Sequence, residues 1–157
     1  MGRYVAIGSV SMGTASGVVL AAIVNPIASG KNLVVYALAP VKAAAQELPD
    51  ALEVERYSTE IAAVSVTPAA APVTYKCNPS DASPVALVYS TASHTFTEPS
   101  ALDKTFMLPV SIVDALRARD SGFTVTIPPG SSGVLECDQD GGNVPAVFVV
   151  SWDEVAV

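Results

Sequence analysis

Apolar residues in this chain come in short runs, and many of those runs carry the two-residue period of a strand. Phe123, Val125 and Ile127 alternate with Thr124 and Thr126, the signature of a strand with one buried face. Strand-like runs open the chain at "RYVAIGSV" (3–10), "GVVLAAIV" (17–24) and "NLVVYALA" (32–39). They continue at "IAAVSVT" (61–67), "PVTYKC" (72–77), "PVALVYS" (84–90) and "KTFMLPV" (104–110). "GFTVTI" (122–127), "GVLEC" (133–137) and "PAVFVVSW" (145–152) complete the series. Residues 18–24 and 33–38 are apolar at nearly every position, which predicts central strands covered on both faces. Breakers separate the runs: Asn25-Pro26, Pro40, Pro68 to Pro72, Asn78-Pro79, Pro128-Pro129-Gly130 and Gly141-Gly142.

Roughly ten short strands with turns between them predict an all-β fold, a β-sandwich of jelly-roll type. Two segments add one or two short helical turns. "VKAAAQEL" (41–48) holds good helix formers stopped by Pro49. "SIVDALRARD" (111–120) has Ser111 as an N-cap and Gly122 beyond its end. Neither sets up the repeated βαβ rhythm of a doubly wound sheet. There is no internal repeat, and the Ala/Pro-rich "TPAAAP" (67–72) reads as a loop within one domain, 1–157.

Composition narrows the functions more than it names one. A chain of 157 residues, half of them hydrophobic and 15% charged, has the means to build a core. Its net charge of −7, from 15 acidic and 8 basic residues with no Lys/Arg run, argues against a nucleic-acid partner. Residues 17–24, with Arg3 upstream, imitate a short signal peptide but are too short to span a membrane. A strand is expected there, and no membrane partner. Cys77 and Cys137 either form one disulfide or remain two thiols, and no CxxC or Cys/His cluster accompanies them.

"NPIASGK" (25–31) resembles the end of a phosphate-binding loop, but that loop needs Gly where Asn25 stands and Ser or Thr where Asn32 stands. A β-strand pattern follows it rather than a helix, so a hairpin turn with a solvent-facing Lys31 is expected. His94 is the only histidine and lies in the polar stretch "STASHTFTEPS", where a surface position is expected rather than a catalytic triad. Glu53 and Glu55 in "ALEVERYS" share a face if that segment is a strand, expected to be the solvated one, with no cleft to make them a catalytic pair. Asp138, Asp140 and Asn143 in "DQDGGN" are the weak candidates for a metal site. They lack EF-hand spacing, so a hairpin turn is expected there instead. No catalytic residue and no cofactor is expected. Phe148 and Trp152 fall four apart in the last strand, on one face, as core residues would.

Three stretches together resemble tailed-phage virion accessory proteins. "VVLAAIVNPIASGKNLVVYAL" (18–38) is similar to a strand–NPxxSGK–strand hairpin in that group. "TVTIPPGSSGVLECD" (124–138) resembles its PGxGL strand turn, and "VFVVSWDE" (147–154) its final strand closing on Trp and two acidic residues. The resemblance covers less than half the chain. It implies a β-sandwich or jelly-roll capsid cement, decoration or head-fibre protein, a non-enzymatic homotrimer on the virion surface whose partner is the major capsid protein. It transfers no binding residues. "MGRYVAIGSVSMG" (1–13) would then be an extended arm reaching a neighbour, or else a first edge strand. The alternative is a receptor- or carbohydrate-binding β-sandwich of a fibre, with an exposed aromatic platform at 89–100 or 138–144.

Overall fold

The β-branched and aromatic runs form strands wherever the structure describes them. The computed structural model describes residues 1–12, 18–42, 51–58, 60, 73–89, 102–108, 124–138 and 144–157. Ten strands lie in these segments: β1 (Gly2–Met12), β2 (Val18–Asn25), β3 (Lys31–Lys42), β4 (Ala51–Tyr57) and β5 (Val73–Lys76). The second half adds β6 (Leu87–Tyr89), β7 (Leu102–Leu108), β8 (Val125–Ile127), β9 (Ser131–Asp138) and β10 (Val144–Ala156). No helix occurs among the described residues. Of the two segments expected as helical turns, only Val41 and Lys42 are described, and they finish β3. The strand expected at 61–67 lies outside the described residues.

The strands form two antiparallel five-stranded sheets in a sandwich-like all-β arrangement, ordered β5-β1-β10-β3-β8 and β6-β2-β9-β4-β7. Among the described strands, neighbours in sequence fall in opposite sheets at every step but β6/β7. The "NPIASGK" and "PPG" stretches are therefore corners between sheets, not hairpins. The strands flanking Asp140 and Asn143 likewise belong to different sheets, which removes the expected "DQDGGN" hairpin.

Two further expectations change. Residues 2–12 are not a free arm: β1 pairs with β10 from Gly2 to Met12, and from Tyr4 to Ile7 it is covered on its other side by β5 as well. Pro40 does not end β3, which continues to Lys42 with Pro40 opposite Phe148. β8 pairs β3 only at Leu33–Val35, so among the described residues only one edge of β3 carries a ladder at the proline.

The core between the sheets takes Tyr4, Ala6, Leu33, Val35, Val125, Ile127, Val150 and Trp152 from one side and Ile23 from the other, all buried. Each fully buried aliphatic such as Ile23, Leu33 or Ile127 contributes about 1.5–3 kcal/mol. The sheets approach closely at Gly133, where an added Cβ would stand 2.7 Å from Ile127 Cδ1 and 3.3 Å from Ile23 Cγ2. A second cluster, Ala22, Val24, Tyr57 and Val134 with Tyr89 packed against it, occupies the other face of the β2 sheet. Residues 21–25 of β2 are thus buried on both faces, as their unbroken apolar run predicts. In β3 the burial alternates instead, with Leu33 and Val35 inside and Val34 and Tyr36 only partly covered.

Candidate functional site: two carboxylates at the end of β10

The closing strand carries Trp152, Asp153 and Glu154 in succession, and alternation sends the two acids to opposite faces. Tyr4 pairs with Trp152, Gly2 with Glu154 and Leu33 with Glu154, which places Glu154 on the core face beside the other buried residues. Arg3 pairs with Asp153 on the outer face. Both carboxylates are nonetheless buried.

Glu154 gathers donors from three parts of the chain. Lys31 Nζ donates to Oε2 at 2.9 Å, and the backbone N–H groups of Val85 and Ala86 donate to Oε1 at 2.7 and 3.2 Å. Trp152 Nε1 completes the set at 3.5 Å. Two backbone amides, an ammonium and an indole replace the water that a buried carboxylate loses. The bond to Glu154 raises the Lys31 pKa above its ordinary value, against the opposing effect of burial. Lys31 is thus an ion-pair partner, where a solvent-facing lysine was expected. Burial, then the nearby Glu154 charge, raises the pKa of Tyr4, whose ring stacks on Trp152 at 5.6 Å between centroids.

Asp153 is held sideways within its sheet. Arg3 donates from Nε to Oδ1 at 2.8 Å and from Nη2 to Oδ2 at 3.0 Å, a two-pronged pairing. Tyr36 donates its hydroxyl to Oδ2, and the Arg3 guanidinium lies 5.4 Å from the centre of the Tyr36 ring. A one-residue irregularity between β3 and β10 at Ser151/Trp152 leaves Tyr36 without a partner in the register and lets it reach this cluster. The hydrogen bond from Arg3 holds the Asp153 pKa below the usual carboxylate range, and burial opposes it.

The corners pack beside this strand end. Asn25, fully buried, donates from Nδ2 to Lys31 O and to Ile127 O, both at 2.8 Å, while its backbone oxygen accepts from Gly130 N–H at 2.8 Å. One side chain thereby ties the "NPIASGK" corner to the "PPG" corner. Each corner turns on a left-handed glycine, Gly30 at φ 61° and Gly130 at φ 77°, where a side chain would be strained. Lys31 then joins the first corner to Glu154.

The three stretches that carry the phage resemblance therefore meet at one end of the sandwich. Chemically the arrangement is a clamp: every carboxylate oxygen of Asp153 and Glu154 already accepts a hydrogen bond. Of the candidates singled out in the sequence, Asp138 ends β9 opposite Ala51, while Asp140, Asn143 and His94 lie outside the described residues. Glu53 and Glu55 lie on β4, opposite Glu136 and Val134 of β9. Among the described residues no group of three or more His, Cys, Asp or Glu side chains could hold a metal ion. Cys77 carries an exposed free thiol. Trp152 is buried and so belongs to the core. The roles of Arg3, Tyr36, Asn25 and Glu154 were not foreseen. The one readable signal was Val150-x-Trp152-x-Glu154, which carries the core face of an apolar strand onto an acid.

No protein-family model matches the chain, and no curated protein or solved structure matches it.

Proposed function

We propose that this chain is a structural protein of a tailed-phage virion, without enzymatic activity: a cement or decoration protein that binds the major capsid protein on the outer capsid surface. The observation that carries the reading is the joining of "NPIASGK", "PPG" and "WDE" through Asn25, Lys31 and Glu154. Three stretches that resemble virion proteins only loosely when taken singly gain weight as one contiguous structural node. Strand order supports a jelly roll: with β5 and β6 set aside, β1-β10-β3-β8 and β2-β9-β4-β7 form two four-stranded sheets linked by repeated crossings between them.

Function on this reading is mechanical. A closed homotrimer suits a threefold position on a shell, and many modest contacts around the shell add through multivalency. The clamps at Asp153 and Glu154 hold β1, β3 and β10 together at one end of each subunit, so that force between capsid subunits is not lost in deforming that sheet.

Co-sedimentation with capsids stripped of their accessory proteins, with light scattering of the free protein, tests the reading. Saturable binding with a rise in the capsid's disruption temperature is expected, together with a trimer mass. Absence of capsid binding combined with a glycan-array signal would overturn it in favour of a fibre-type receptor-binding module.

A further inference from the structure

The β5–β6 segment is attached to the rest of the molecule in an unusual way. Among the described residues β5 pairs only with β1, over four residues, and β6 only with β2, over three. All four residues of β5 are exposed, with Val73 at 56% and Tyr75 at 54%, and Leu87 of β6 is 46% exposed. Little apolar burial holds the two short strands, apart from Tyr89 packed against the Ala22 cluster. Residues 77–86 join them across the end of the sandwich, and polar bonds fasten that crossing. Cys77 N–H donates to Arg3 O at 2.9 Å, Arg3 N–H donates to Asp81 Oδ2 at 3.2 Å, and Tyr4 hydroxyl donates to Ala82 O at 3.0 Å. The pair of amides, Val85 and Ala86, on Glu154 fastens it further.

We infer that residues 73–89 form a strap that opens as one unit while the other eight strands stay folded, with Glu154 as its latch. Release is physically affordable because of how Glu154 is shared. When the strap leaves, Lys31 and Trp152 still serve the carboxylate, so no unpaired charge is stranded in the core. The strap loses three charge-assisted bonds, two on Glu154 and one on Asp81, two ordinary ones and its short ladders with β1 and β2. Opening uncovers the β1 edge at Tyr4–Ile7 and the β2 edge at Ala22–Val24. Local opening of this kind, below the free energy of global unfolding, is what weakly buried peripheral elements show. The inference is independent of the capsid reading, because it concerns the free protein.

Native-state hydrogen exchange on the whole chain tests it. The amides of Val85, Ala86, β5 and β6 are expected to share one opening free energy, below that of β1, β3, β9 and β10. Glu154→Gln, which takes the negative charge out of the bonds from the Val85 and Ala86 amides, is expected to speed exchange across the strap by about tenfold or more and to change the other strands less. Tyr4→Phe keeps the ring on Trp152 but removes the bond to Ala82, and should give the same selective pattern more weakly; it serves even if the Gln variant does not fold. Three results would overturn the inference: strap amides exchanging only with global unfolding, β5 and β6 opening with unequal free energies, or both variants accelerating all strands alike.

Discussion

Asp153 and Glu154 are adjacent, chemically alike and buried to the same degree, yet they do different work. Asp153 is served by side chains of flanking strands, Arg3 from β1 and Tyr36 from β3, and so binds three strands of one sheet side by side. Glu154 is served by Lys31 at a corner and by amides of the crossing at 77–86, and so binds connections to the core. The side chain of Arg3 is 50% exposed and that of Lys31 31%. Water can rescue a freed Arg3 with little rearrangement. It reaches Lys31 less readily, and the Ala86 amide on Glu154 is buried while the crossing stays in place. Partner accessibility, rather than the burial of the acid itself, sets what each carboxylate is worth.

The largest test of that contrast is Glu154→Ala. Leaving Lys31 and two amides without their acceptor should cost about 3 kcal/mol, the lower part of the range for breaking a buried pair, measured by urea denaturation. Asp153→Asn comes next. It keeps the shape but gives up the charge, and should cost about 1.5 kcal/mol with the denaturation slope unchanged. Equal losses for the two variants would break the comparison.

Titration separates the two sites further. The Asp153 pKa is depressed in the folded state, so its contribution is present above the ordinary carboxylate pKa and disappears as pH falls through the lowered value. Asp153→Asn should therefore flatten the acid limb of a stability–pH curve. The Lys31 pKa is raised, so its contribution is complete below the ordinary lysine value of 10.5 and is lost as pH rises through the raised one. Tyr4 and Tyr36, also raised from 10.0, lose their contributions in the same direction. Lys31→Met should flatten the alkaline limb. The smallest effect is expected from Arg3→Lys, which keeps the charge but loses the two-pronged fork and the contact over Tyr36. About 0.5 kcal/mol, falling with added salt, is the expected loss by thermal melting.

Much of the fold could be read from the chain, and the reasons are local. Val125 and Ile127 are buried and Thr124 and Thr126 exposed, as their alternation predicts. β1, β2, β3, β9 and β10 begin and end within a few residues of their expected bounds. Errors came where local chemistry is ambiguous about partners. Asn, Pro and Gly specify that the chain turns, but a turn into the next strand of the same sheet and a turn into the opposite sheet use the same residues. "NPIASGK" is therefore read from the sequence as a hairpin and is a corner between sheets. The candidate site was less legible still. Arg3 and Asp153 lie 150 positions apart, and nothing local marks either as the other's partner.

By itself the sequence determined that this protein is built of strands, where most of them run, and which side of several faces a core. Those follow from side-chain alternation and backbone propensity, both properties of neighbouring residues. The tertiary structure alone decided which strands pair, that the corners at Asn25 and Gly130 lie against each other, and that the acids of "WDE" are clamps. Pairing is chosen by the packing of distant segments, and a buried carboxylate takes its role from whichever donors that packing brings within about 3 Å.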